Sequence, residues 1–218
     1  MKNKAFIFDM DGVLVNSERA WDGEEGLLLE SIFGKAIADK IGNTVGIGIH
    51  TFYETARRLG TTISYEEYLK RYDDAVAKVY GRSAMTEGLD ELAANLLSSG
   101  FKLGLVTASP MSWIERIIPR LSFKEKLDVV ISLHEREDLR PKPAPDGYIE
   151  ALEILKADPK ASFVLEDSNA GIAAGKASGA FTIGFRGNLT EGYEQTGADA
   201  YADTMDDVIK LVERFTQQ

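Results

Sequence analysis

No cysteine occurs among the 218 residues, which excludes disulfides, thiolate metal sites and cysteine nucleophiles. Histidine is nearly as scarce. His50 and His134 are the only two, too few for a histidine-rich metal centre and with no evident partner for either. Positive charge is in deficit, with 25 Lys and Arg against 35 Asp and Glu and a formal net charge of −10. So acidic a chain is repelled by a nucleic-acid backbone or an anionic membrane, since both attractions need clustered cations. Small molecules are the expected partners. No apolar segment approaches the roughly 20 residues that span a bilayer. The apolar run near the start is broken at once by Asp9 and Asp11, unlike a signal peptide, so a cytoplasmic location is expected. With 44% apolar residues, the chain is long enough to bury a core for one or two domains.

Residues 5–8, Ala-Phe-Ile-Phe, are continuously apolar, as in a strand buried on both faces of a parallel sheet. From residue 17 to residue 81 the pattern turns helical. Ile49, Phe52, Tyr53, Ala56 and Leu59 share one face. Ser64-Tyr65-Glu66-Glu67 is a capping box that opens a helix with Tyr68, Leu69, Tyr72, Ala75, Val76 and Val79 inward and Gly81 as its expected stop. Gly42, Gly46 and Gly48 follow no strand and precede no suitably placed lysine, so they read as a loop and helix start, not a nucleotide loop. After Gly81 helices alternate with apolar runs at 103–107, 129–132, 162–165 and 181–185. Such alternation predicts an α/β fold with a doubly wound, Rossmann-like parallel sheet. Residues 1–16 and 82–218 would form its core, and residues 17–81, too long for a simple connection, an inserted all-helical cap.

In an open parallel sheet ligands bind beyond the carboxyl ends of the strands. Asp9 and Asp11 follow the first run, Thr107, Ala108 and Ser109 the second, and Glu166 and Asp167 the run at 162–165. Lys142 stands among three prolines in Arg140-Pro141-Lys142-Pro143-Ala144-Pro145. Taken singly, Thr107 reads as a strand-end hydroxyl, Lys142 as a surface lysine, and Glu166 with Asp167 as a helix cap. Their weight comes from occurring together. Four converging carboxylates call for a hard cation, and magnesium binds through carboxylates and substrate phosphate oxygens. Lys142 and the Thr107 hydroxyl would then hold phosphate, one aspartate could attack phosphorus, and its neighbour could move protons.

The segment Phe6-Ile7-Phe8-Asp9-Met10-Asp11-Gly12-Val13-Leu14-Val15-Asn16-Ser17-Glu18 resembles the first motif of the haloacid dehalogenase superfamily, in its phosphatase and β-phosphoglucomutase-like branch. Leu105-Val106-Thr107-Ala108-Ser109, the Arg140 to Asp146 segment and Val164-Leu165-Glu166-Asp167-Ser168-Asn169-Ala170-Gly171 resemble the second, third and fourth motifs. The resemblance implies Asp9 as phosphorylated nucleophile, Asp11 as general acid and base, and Thr107, Ala108, Ser109 and Lys142 on phosphate. It also implies Mg2+ held by Asp9, Asp167 and Glu166, with the Asp11 carbonyl as a further ligand. Dehalogenases of this fold lack the second aspartate, so Asp11 disfavours carbon–halogen cleavage. Trp21 stands where phosphosugar mutases of this branch carry a histidine, and Ile41-Gly42-Asn43-Thr44-Val45-Gly46 where they carry a Gly-Val-Ser-Arg-like loop. Asn16 stands where the family often has aspartate. The expected activity is hydrolysis of a small phosphorylated metabolite. A phosphosugar mutase and a noncatalytic phospholigand-binding protein are the alternatives, and a monomer is expected, with a dimer left open.

Overall fold

A computed structural model describes residues 3–21, 24–42 and 49–216. Its six strands are β1 (Lys4–Phe8), β2 (Phe101–Thr107), β3 (Leu127–Ser132), β4 (Phe163–Glu166), β5 (Phe181–Phe185) and β6 (Ala200–Ala202). They form one parallel sheet in the order β3-β2-β1-β4-β5-β6. The winding direction reverses at β1, so the carboxyl ends of β1 and β4 border the switch-point crevice where such sheets bind ligands. The doubly wound sheet expected from the apolar runs is the sheet observed.

Period-two alternation along β1 explains why its whole run is apolar. Phe6 and Phe8 face Leu103, Leu105, Phe163 and Leu165, while Ala5 and Ile7 join Val106, Val164, Tyr148 and Ala174 in a second core on the other face. The four apolar side chains of β1 are fully buried, each large one stabilising the fold by about 1.5–3 kcal/mol. The flanking helices are α6 (Leu89–Ser98), α7 (Met111–Ile117), α8 (Asp146–Ile154), α9 (Asn169–Ser178) and α10 (Met205–Thr216). Neither β6 nor α10 was expected from the sequence.

Between β1 and α6 the described residues hold only helices: α1 (Glu18–Trp21), α2 (Glu24–Phe33), α3 (Lys35–Ile41), α4 (Ile49–Arg58) and α5 (Tyr65–Arg82). Gly42 follows α3 at a positive φ, and the rest of the glycine loop, with Gly46 and Gly48, lies outside the described residues. Ser64 caps α5 by accepting from the Glu67 amide at 3.2 Å. The reciprocal half of the box is unused, because the Glu67 side chain turns to Arg71 instead. Gly81 does not stop the helix, which runs on to Arg82. Arg120 supplies the reason, donating to the Tyr80 and Ser83 carbonyls at 3.0 and 2.7 Å and so satisfying the helix end without a left-handed residue.

The helical segment leans on the sheet layer through α7. Tyr72 stacks on Trp113 with ring centres 5.6 Å apart, and Arg116 grips the Asp73 carboxylate. The two chain crossings run side by side, with Asn16 donating to Ala84 and Thr86 to Leu14. Both histidines lie against Tyr65. His134, for which the sequence showed no evident partner, is half-buried, and its Nε2 lies 3.4 Å from the Tyr65 hydroxyl, whose ring packs edge-on against His50.

Candidate active site

Phe8 pairs with Leu165 in the β1–β4 register, and the Asp9 amide donates to the Leu165 carbonyl at 3.0 Å. One residue further along, Asp9 and Glu166 therefore lie side by side at the switch point. Lys142 bridges them. Its ammonium sits 2.5 Å from an Asp9 oxygen and 2.6 Å from a Glu166 oxygen, and donates to the Val106 carbonyl at 3.2 Å. The loop that delivers it is closed by Arg140, whose amide and guanidinium hold the Asp146 carboxylate. That clamp draws the Asp146 pKa down to about 2.

Burial pushes the Asp9 carboxyl well above its ordinary pKa against the pull of Lys142. Burial also works against the Lys142 ammonium, but the Asp9 and Glu166 carboxylates outweigh it and raise its pKa. Lys142 therefore stays charged, and the pressure on Asp9 is toward more positive charge nearby. Glu166 is completely buried and takes four donors: Lys142, the Tyr148 hydroxyl at 2.6 Å, and the amide and hydroxyl of Ser168. Burial and Glu166 together keep the Tyr148 hydroxyl protonated.

Asp11 faces elsewhere. One of its oxygens accepts from the hydroxyls of Ser17 and Tyr80 at 2.7 and 2.8 Å, and the other from Ser109 at 2.7 Å. Thr107 is 1% exposed and its hydroxyl accepts from the Ser109 amide, the strand-end role that its type suggests, with the O–H still able to donate. Ala108 is partly exposed between them.

Oxygens of Asp9, Glu166 and Asp167, all buried, lie within 4.8 Å of one another. The three carboxylates offer the hard oxygens that a divalent ion takes, gathered closely enough for one ion to meet all three. The residues present fit a divalent cation. The Asp11 carboxylate stands outside this trio. Two glycines let the carboxylates approach the backbone. A Cβ on Gly12, at φ +73°, would fall 1.8 Å from an Asp167 oxygen, and one on Gly171 would fall 1.9 Å from the Glu166 carboxyl carbon.

The structure thus brings Asp9, Lys142, Glu166 and Asp167 into one cluster and sets Asp11 with Ser109 and Thr107 beside it. Tyr80, Tyr148, Gln195 and Asn188 were not foreseen. The Gln195 amide donates to the Asp167 carbonyl at 2.5 Å and the Phe185 carbonyl at 2.7 Å, and Asn188 holds the Gly12 carbonyl. Ser17 was visible within the first motif, but the others carry no local signal.

The profile of the haloacid dehalogenase-like hydrolases matches residues 3–179. Hexitol phosphatase B of Escherichia coli (strain K12) is 30% identical over 179 residues, 80% of this chain and 79% of that protein. Validoxylamine A 7'-phosphate phosphatase of Streptomyces hygroscopicus subsp. limoneus is 29% identical over 197 residues, 83% of this chain and 84% of that protein. The crystal structure of a hydrolase from Pseudomonas syringae superposes with a TM-score of 0.76 at 18% identity, covering 97% of this chain and 99% of that one. Motifs, sheet order and sequence match agree, and the chain belongs to the haloacid dehalogenase-like hydrolase family.

Proposed function

We propose that this protein is a magnesium-dependent phosphomonoester hydrolase acting on a small phosphorylated metabolite through an aspartyl phosphate on Asp9. The observation that carries the reading is the buried Asp9–Lys142–Glu166–Asp167 cluster at the switch point. The names of the two phosphatase relatives support it. In this reading a free Asp9 oxygen attacks phosphorus, the P–O bond to the leaving group breaks, and Asp11 gives that oxygen a proton. Asp11 then takes a proton from water as the water attacks the acyl phosphate, which releases phosphate and restores Asp9. Lys142 and the Thr107 and Ser109 groups hold the phosphoryl oxygens, and Glu166 keeps Lys142 in place. Held by Asp9 and Asp167, with Glu166 in reach and the Asp11 carbonyl as a further ligand, magnesium would supply charge neutralisation at the transferring group. Residues 1–16 and 82–218 form the catalytic core, and residues 17–81 a cap that covers the crevice and keeps bulk water from it.

The test is release of phosphate from p-nitrophenyl phosphate with and without Mg2+, followed by a panel of sugar phosphates, sugar-alcohol phosphates, phosphoglycolate and nucleoside monophosphates. Turnover should need the metal and vanish in Asp9→Asn with the melting temperature kept. Wild-type activity in Asp9→Asn would overturn the proposal. A hexose 1-phosphate should yield free phosphate, and conversion to the 6-phosphate without phosphate release would make the enzyme a mutase.

A further inference from the structure

Asp11 is held by three hydroxyls from three parts of the chain. Ser17 lies on the crossing from the sheet into the helical segment, Tyr80 in the last turn of α5, and Ser109 after β2. Tyr80 is itself fixed at both ends. Its ring is 3% exposed and meets Trp113 edge-on at 6.2 Å, and its carbonyl takes Arg120. Its hydroxyl is kept protonated by burial first and by the adjacent Asp11 second, so it stays a donor. A carboxyl group that must present a proton to a leaving oxygen needs a defined orientation, and a free Asp side chain turns about two bonds. Ser17 and Tyr80 share one oxygen, while Ser109 holds the other. Tyr80 is the one of the three that comes from the helical segment's final helix.

We propose that Tyr80 is a positioning residue, whose hydroxyl orients the Asp11 carboxyl for proton delivery to the leaving group and ties that orientation to the placement of α5. The inference rests on the phosphatase reading above. In the step concerned the phosphoryl group moves to Asp9, the ester P–O bond breaks, and its electron pair takes the Asp11 proton. An alkyl leaving group needs that proton. A p-nitrophenolate departs without it. Tyr80→Phe keeps the ring against Trp113 and removes only the hydroxyl.

The experiment compares kcat/KM of wild type and Tyr80→Phe on a sugar-alcohol phosphate and on p-nitrophenyl phosphate, since this ratio covers only the steps through leaving-group departure. The alkyl ester should lose about tenfold more than the aryl ester, the size of one hydrogen bond to a charged group. In an Asp11→Asn background the same change should have little further effect on the alkyl ester, because the two residues act as one unit. Tyr80→Met repeats the comparison if Tyr80→Phe fails to fold. Equal losses on both esters, or losses that multiply with Asp11→Asn, would show a merely structural tyrosine and sink the inference. Failure of the phosphatase reading is a separate result: no wild-type turnover of either ester, or turnover that survives Asp9→Asn.

Discussion

Lys142 shows how charge organises this site. Its side chain is 7% exposed and lies between carboxylates that are 9% and 0% exposed. Removing one partner of a buried pair costs more than the pair contributes, because the other charge is left without compensation. Lys142→Met should therefore destabilise the metal-free protein by about 3–5 kcal/mol in urea unfolding. Mg2+ should restore part of that loss, since a cation held by Asp9, Glu166 and Asp167 would meet the same carboxylates. A loss below about 1 kcal/mol, of the size seen for exposed pairs, would show that the cluster is solvated. Asp9, Asp11, Thr107, Lys142, Glu166 and Asp167 were legible because all but Lys142 stand at the ends of apolar runs, and parallel strands bring such ends together. Tyr80 and Tyr148 were not. They lie 69 and 18 positions from the carboxylates they serve, and nothing in their own neighbourhoods marks a hydroxyl aimed at a distant side chain.

The helices and strands were readable to the extent that local patterning decided them. β5 coincides with its apolar run, and α4 with its periodic face as far as Arg58, one residue short of Leu59. β6 is three residues long and only partly buried, too short for period-two alternation to register. The end of α5 was misplaced because a residue 40 positions away, Arg120, does what a C-terminal glycine would otherwise do. The start of α5 was local and was read correctly. Ser64→Ala should cost about 1 kcal/mol, with an unchanged denaturant slope, because one amide at the helix start loses its acceptor. No measurable change would mean that water replaces the cap.

Across the molecule, the helical segment and the sheet layer meet where the two histidines converge on Tyr65. Burial, helped by the nearby His50 and opposed by Glu135, holds the His134 pKa below its ordinary value of about 6.5. Below that value the unfolded chain binds a proton that the folded chain resists. This contribution to stability is present above about pH 6.5 and lost as pH falls toward the folded-state pKa. The melting temperature should drop between about pH 7.5 and about pH 5.5, and His134→Gln should remove part of the drop. An identical drop in the variant would place the titrating group elsewhere. The central claim is that Asp9 carries phosphorus for part of each cycle. Rapid quenching during turnover, borohydride reduction and peptide mapping test it most directly, because reduction converts an aspartyl phosphate to homoserine. Homoserine at position 9 is the predicted result; efficient turnover with aspartate intact there, or homoserine at another position, would contradict it.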